Sequence, residues 1–364
     1  MQQIGVGIIG TGQIGLANHL PGLALCPAAK VVALCDSDPA TLAKAARQVG
    51  DAKQVTSSWQ EVIRNENVQA VIIATPNDLH PPVAIAAAHA GKHVMCEKPI
   101  ALNARDAAEM YYTAEKRNVR HMTAFTYRFV PAMRYMKHLV ARGDLGEPYH
   151  FRAQRFQDWA NRPLGWRQQR IRCGSGELAD MLSHRIDYAH HLIGPIARLV
   201  ADLRNFIPER GGQASDVDDW VSILCEFSND SKTTGVLEST KLATGRGEGH
   251  RGQDTVEING SEGTIVYSTQ KPLTLQIGKR GDADLRTMDV PKEFHVYPGS
   301  PRDPRQGDPL VTFRYDQTFE FIDAILNQRQ CSPSFKDGVM AQAVMDAAMQ
   351  SRERRAWVEV EKLP

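Results

Sequence analysis

The chain has 364 residues, with 43 Lys and Arg against 42 Asp and Glu and a formal charge of +1. That balance offers no basic field for nucleic acid or an anionic membrane, and no apolar run is long enough to span a bilayer. Hydrophobic content of 42% with 23% charged residues suits a globular chain with a proper core, and the length predicts two domains.

The chain enters a predicted strand (Val6, Ile8, Ile9) that stops at Gly10-Thr-Gly12-Gln-Ile-Gly15. In such a turn Gly10 permits a tight strand-to-helix reversal and Gly12 lets backbone approach a pyrophosphate. Gly15 lets helix and strand pack closely. Glycine-rich turns are common and most bind nothing, so context decides. A second apolar strand, 31–35, ends in Asp36, about 20 residues past the glycines, where a carboxylate can accept both ribose hydroxyls of an adenosine. The same charge repels the extra phosphate of NADP, and neither Ser37 nor Asp38 supplies a cation. NAD is therefore the expected cofactor over NADP. A plain helix-capping role stays open, for Asp38 more than for Asp36.

Helix 39–49 follows, then helix 58–65, strand 68–74, the turn Thr75-Pro76-Asn77, helix 82–90, strand 93–97, helix 104–116 and strand 120–124. Strand and helix in such regular alternation predict an α/β fold with a doubly wound parallel sheet. Ligands gather at the carboxyl ends of such strands, so Gly10, Asp36, Thr75 to Asn77 and Glu97-Lys98-Pro99 are expected to line one crevice. Lys98, held extended by the following proline, can stabilise a developing alkoxide. A solvated Glu-Lys pair on a loop is the alternative.

The second half changes character. A helix over 131–142 precedes strands at 149–156, 199–207, 221–227, 234–241, 253–260, 263–268 and 273–277, broken only by a helix after Cys173. Strands in series joined by short turns imply a large, mostly antiparallel open sheet. Helices over 319–326 and 338–352 close the chain, and the proline-rich 299–309 is expected to be a mobile loop. The domain assignment is 1–124 for the cofactor and 125–364 for substrate and oligomerisation. Six scattered cysteines without a C-x-x-C pair read as reduced thiols, and no export segment precedes the first strand, so the expected compartment is the cytoplasm.

One motif remains, Gly174-Ser175-Gly176-x3-Asp180-x3-His184. On a helix Asp180 and His184 share a face, and a carboxylate beside an imidazole suits a general base removing a hydroxyl proton. A buried structural histidine is the competing reading. Asp187 and His191 extend the stripe, but no second cluster supplies a metal-ligand spacing, and no metal is expected.

Taken in order, these motifs resemble the glucose-fructose oxidoreductase, inositol dehydrogenase and MocA (Gfo/Idh/MocA) family over essentially the whole chain. Ala74-Thr75-Pro76-Asn77, Cys96-Glu97-Lys98-Pro99, Tyr127-Arg128-Phe129-x-Pro131 and Asp144-Leu145-Gly146-Glu147 join the Gly10 turn and the Asp-x3-His helix in carrying it. The resemblance implies a Rossmann domain followed by an α/β domain whose sheet mediates homodimers or tetramers. It implies that Lys98, Asp180 and His184 form a catalytic triad: His184 takes the proton, Asp180 orients it and binds substrate, and Lys98 polarises the reacting oxygen. The implied cofactor set begins with Gly10, Gly12, Gln13, Ile14, Asp36 and Ser37. It continues through Thr75, Pro76, Asn77, His80, Glu97 and Lys98. Trp166 and Arg167 would meet the nicotinamide end, as in the sugar-oxidising branch, and Tyr127, Gln157 and Tyr315 would touch substrate hydroxyls. Two positions depart from the family pattern. Ser175 stands where a glycine is usual, and Leu182 stands where a glycine commonly separates the two functional residues.

The expected function is NAD-dependent oxidation of a secondary hydroxyl on a cyclic polyol, sugar or anhydrosugar. The alternative is an NAD-dependent glycosidase acting through a transient keto-sugar. A non-catalytic dinucleotide or sugar sensor would be expected to lack members of the triad, and all three are present.

Overall fold

A computed structural model describes residues 3–248 and 252–362. The chain forms two compact units: residues up to Thr126 together with Val296–Val339, and Tyr127–His295 together with the residues from Met340 onward. The first crossing falls close to residue 124. The return of 296–339 to the N-terminal unit is a feature that a single boundary does not contain. Its basis is helix Tyr315–Leu326, whose buried Phe321, Ile322 and Ile325 give it an apolar face. That helix packs on helix Leu20–Ala24. Gly22 makes the contact possible, because a Cβ there would lie 2.7 Å from Thr318 Oγ1.

In the N-terminal unit, β1 (Ile4–Ile9), β2 (Ala29–Cys35), β3 (Gln54–Thr56), β4 (Ala70–Ile73), β5 (His93–Cys96) and β6 (His121–Thr123) form one sheet in the order β3-β2-β1-β4-β5-β6. Every pairing is parallel. β1 and β4 are buried along their whole length, as continuous apolar runs covered on both faces must be. The register levels the strand ends: Ile9 pairs with both Cys35 and Ile73, Ile73 with Cys96, and Cys96 with Thr123. Gly10, Asp36, Ala74 and Glu97 therefore leave the sheet side by side. Strand order reverses between β1 and β4, the place where doubly wound sheets bind ligands.

The segment 299–309, expected to be mobile, is tied down at its start. Arg302 is buried and pairs with Asp316 at 2.7 Å, and the Ser300 hydroxyl donates to the same carboxylate at 2.6 Å.

The C-terminal unit contains β7 (Pro148–Phe156), β8 (Ile196–Arg204), the small hairpin β9 (Glu209–Arg210) and β10 (Gln213–Ala214), β11 (Trp220–Phe227) and β12 (Thr234–Thr240). β13 (Gln253–Gly260), β14 (Gly263–Ser268), β15 (Thr274–Lys279), β16 (Arg286–Asp289) and β17 (Val358–Glu359) complete it. Apart from the hairpin, these build a nine-stranded sheet in the order β16-β15-β14-β13-β7-β12-β11-β8-β17. All its pairings are antiparallel except β12 with β7. Burial alternates along β7, β11, β12 and β13, so one face of the sheet is the core face. Helix Ser183–Leu192 packs on β7, and helix Pro131–Ala141 on β14 and β15.

Candidate active site

Each unit contributes its own set of the expected residues. In the N-terminal unit Gly10 has φ of +94°, and a Cβ there would lie 2.4 Å from the Ala74 carbonyl carbon. Gly12 is different: a Cβ built on it meets nothing within 4 Å. Gly10 is therefore required by the fold, whereas Gly12 leaves open space in front of the backbone, as a bound pyrophosphate needs. Gly12→Val is expected to keep the native melting temperature and weaken NADH binding at least about tenfold (about 1.4 kcal/mol), measured by fluorescence titration. Gly10→Val should lower the melting temperature instead. The reverse pattern would contradict this division of roles.

After Gly10 the chain does not enter an ordinary α-helix. Gly15–His19 is a π-helical turn, continued by the α-helical Leu20–Ala24. Ile14 is half-buried and Gln13 exposed. Asp36 is fixed by the same turn, accepting from Thr11 N at 2.7 Å and Thr11 Oγ1 at 3.1 Å, while its other oxygen accepts from Asp38 N at 2.9 Å. Asp38, not Asp36, caps helix Pro39–Val49, through Ala40 N. Ser37 is exposed beside them. A carboxylate so placed, beside an uncovered glycine turn, fits the adenosine ribose of a dinucleotide.

Thr75 and Pro76 are half-buried at the end of β4, and Asn77 is buried at the start of the 3₁₀ turn Asn77–Leu79. His80 lies wholly inside. Its ring nitrogens sit 2.8 Å from the Pro99 carbonyl and 3.0 Å from the Thr75 carbonyl. Burial lowers its pKa more than the two carbonyls raise it. His80 thus ties the Thr75 turn to the Lys98–Pro99 turn, whose peptide is cis. Glu97 pairs with the buried His19 at 2.9 Å. Burial pushes the Glu97 carboxyl up, but the hydrogen bond and charge of His19, with Lys98 and His80, outweigh it and the net shift is down. Lys98 is half-buried next to this pair. Tyr315 belongs to this unit also, as the first residue of helix Tyr315–Leu326.

The C-terminal unit holds Tyr127, Gln157, Trp166, Arg167, Asp180 and His184. The inner face of its sheet turns polar at one end. Ser239 on β12 and Asp254 on β13 both pair in register with Arg155 on β7, and all three are buried. Gln157 and Lys241, two residues farther along the same phase, are buried as well. Across this polar end runs the Asp180–His184 element. Asp180 lies in a π-helical turn, Leu178–Leu182, which passes into the α-helix Ser183–Leu192. Such turns are rare and recur at functional sites.

The entry to this helix is organised by Asp218, which the sequence reading missed. Its carboxylate accepts from Ser175 Oγ at 2.5 Å, Gly176 N at 2.7 Å and Leu178 N at 2.8 Å. Ser175, one of the two departures from the family pattern, is thus accommodated as a donor to Asp218. Gly176 admits no side chain, since a Cβ would lie 2.0 Å from the Asp218 carbonyl oxygen. The other departure, Leu182, is wholly buried.

Asp180 Oδ2 lies 3.2 Å from Lys241 Nζ, and its Oδ1 lies 3.9 Å from Arg167 Nε. Arg167 stacks on Trp166 at 4.2 Å. The His184 ring meets Tyr127 edge to face, with centroids 4.7 Å apart. Tyr127 is also covered by the Arg185 guanidinium at 5.2 Å, and Arg185 pairs with Asp254. Asp187, weighed as a metal ligand, is buried in a two-pronged pair with Arg128, at 2.9 Å and 3.1 Å to its Nε. An imidazole braced by an aromatic ring, four residues along the same helical element from a carboxylate held between two cations, can accept a proton from a polar substrate.

The chain was compared with known proteins. Residues 4–125 match the oxidoreductase family with an NAD-binding Rossmann fold, and residues 133–266 match the GFO/IDH/MocA C-terminal domain. Levoglucosan dehydrogenase of Pseudarthrobacter phenanthrenivorans is 35% identical, with 100% of both chains covered. Myo-inositol 2-dehydrogenase of Thermotoga maritima is 29% identical over 98% of this chain and 99% of that one. Among solved structures, levoglucosan dehydrogenase in complex with NADH and L-sorbose gives a TM-score of 0.91 at 34% identity, covering 100% of each chain.

Proposed function

The chain belongs to the Gfo/Idh/MocA family of NAD-binding oxidoreductases, and from that premise we propose that it oxidises a secondary hydroxyl of a cyclic polyol, sugar or anhydrosugar to a ketone. The observation that carries this reading is the polar end of the second sheet, where Asp180, His184, Tyr127 and Gln157 gather on one unit. Groups of that kind suit a ligand with several hydroxyls better than an apolar one. The names of the relatives, levoglucosan dehydrogenase and myo-inositol 2-dehydrogenase, support the same substrate class.

The chemistry that NAD supplies when bound is acceptance of hydride from the carbinol carbon. The chain's residues do the rest. His184 takes the hydroxyl proton, Asp180 orients the imidazole and binds substrate, and Lys98 polarises the reacting oxygen. Tyr127, Gln157 and Tyr315 bind further hydroxyls. Gly10, Gly12, Gln13 and Ile14 hold the pyrophosphate, with Asp36 and Ser37 on the ribose. Thr75, Pro76, Asn77, Glu97 and Lys98 border the cofactor, His80 sets the Thr75 and Pro99 turns, and Trp166 with Arg167 meets the nicotinamide end. The enzyme works in the cytoplasm as a homo-oligomer assembled through the C-terminal sheet; its six cysteines, all free and buried, suit a reducing compartment.

A panel of polyols, aldoses, anhydrosugars and glycosides, each with NAD, tests the proposal. NADH should accumulate with a cyclic polyol or anhydrosugar. Cleavage of a glycoside without net NADH would instead favour the keto-sugar hydrolase. Cofactor choice has its own check. Asp36→Ala should raise the NADP-to-NAD ratio of kcat/KM by about 10- to 100-fold, or about 1.4–2.8 kcal/mol, because a carboxylate repels the added phosphate. A wild-type enzyme that already prefers NADP would refute that role for Asp36.

A further inference from the structure

We propose that Lys241 is a positioning residue for the Asp180–His184 pair, with Glu177 as its buried counter-charge. The inference rests on the reading of His184 as the proton acceptor.

Lys241 follows β12 in the inward phase set by Gly235, Leu237 and Ser239. It is 4% exposed, in a position where an apolar residue would ordinarily complete the core. Its ammonium lies 3.4 Å from Glu177 Oε2 and 3.2 Å from Asp180 Oδ2. An ammonium taken out of water is costly unless paired. Glu177, itself wholly buried and hydrogen-bonded by the Ser239 hydroxyl, already supplies one partner. The second contact therefore does more than neutralise the lysine. It reaches Asp180, whose side chain keeps 14% exposure, and holds one of its oxygens from the interior, while Arg167 stands off the other.

Two carboxylates, Glu177 and Asp180, and two cations, Lys241 and Arg167, make the direct ion pairs of this cluster. Asp218 and the buried Cys173 thiol are the other titratable groups acting on it. Burial pushes Lys241 down, but Asp180 and Glu177 outweigh it and the ammonium is retained. Burial raises Glu177 to about 7, with Asp180 pushing the same way and Lys241 opposing. Removing the Lys241 ammonium would free the inner oxygen of Asp180 from its donor, so the carboxylate would no longer be held in one orientation on the turn that leads into the His184 helix.

The test uses the full-length protein and the substrate selected by the panel above. Lys241→Met removes the charge and keeps the stem, and Lys241→Arg keeps the charge. Glu177→Gln with Lys241→Met removes the buried pair together, so no charge is stranded. NADH binding and thermal melting report folding. The expected result in Lys241→Met and in the double variant is a kcat loss of roughly ten- to a hundredfold with KM nearly unchanged. In Lys241→Met the acid limb of the kcat–pH profile should move up by about one unit, since losing a cation favours protonation nearby; in the double variant, where an anion leaves with the cation, the limb should stay closer to the wild type. Lys241→Arg should recover most of the rate. A double variant that binds NADH normally and keeps the wild-type kcat overturns the proposal. Loss of folding in both Met-containing variants overturns it too, by making Lys241 a fold residue. If the wild type oxidises nothing in the panel, the functional reading fails on its own. The positioning claim is then read from ¹³C-labelled histidine spectra: the His184 titration midpoint rises in Lys241→Met if the claim is right, and an unchanged midpoint refutes it.

Discussion

His184→Ala is expected to lower turnover by about 10²- to 10⁴-fold, the range for loss of a positioned general base, while NADH affinity stays within about twofold, under 0.5 kcal/mol. The split follows from which unit supplies which task. The residues assigned to pyrophosphate and ribose all leave the N-terminal sheet, whereas His184 belongs to the other unit. The imidazole is only 4% exposed and lies edge to face with Tyr127, so truncation also leaves a gap against that ring, and melting temperature should be measured alongside the rate. His184→Asn tests the point more finely, since it fills most of the space and can hydrogen-bond but cannot take up a proton. Both variants should be slow, with the asparagine variant the more stable. An unchanged rate in either removes His184 from the chemistry and returns it to the structural reading.

The cofactor half of this molecule was legible because local pattern and global fold agree there. Helices Pro39–Val49 and Ala104–Lys116 begin and end where capping, helix composition and apolar spacing place them. The buried runs of β1 and β4 and the Gly10 turn carry their own topology. What escaped was short or non-local. β3 has three residues and β17 two, too few for a period to register. The π-helical turn at Leu178–Leu182 could not be read, since an Asp–His spacing of four fits both helix types. Asp218 was invisible for another reason: an acid in a run of acids gives no sign that three donors forty residues upstream will converge on it. Lys241, Arg155 and Asp254 did leave a trace. Arg155 and Asp254 fall on the inward phase of β7 and β13, and Lys241 continues that of β12 just past its end, so charge stands out in a phase whose other positions are mostly apolar.

That inward charge leads to the second large effect. Asp254→Ala is expected to cost about 3–5 kcal/mol of stability, the range for breaking a buried ion pair from one side. Asp254 is wholly buried, pairs with Arg185 and stands 3.6 Å from Arg155, both of them at most 1% exposed. Without the carboxylate, two guanidinium groups remain in the core with no anion between them. Burial alone would lower the Arg185 pKa, yet Asp254, with Tyr188 and Tyr127, raises it above its ordinary value. The pair therefore holds more than its own two charges. Arg185 lies over the Tyr127 ring, and that ring braces His184, so a released Arg185 should disturb turnover as well as folding. Urea denaturation of Asp254→Ala, Arg185→Met and the double variant measures the coupling. The double variant should lose clearly less than the sum of the two single losses, by about 1–3 kcal/mol, because it strands no charge on Arg185. Additive losses would mean that the two residues stabilise the sheet and the helix separately, and that the brace on His184 does not run through this pair.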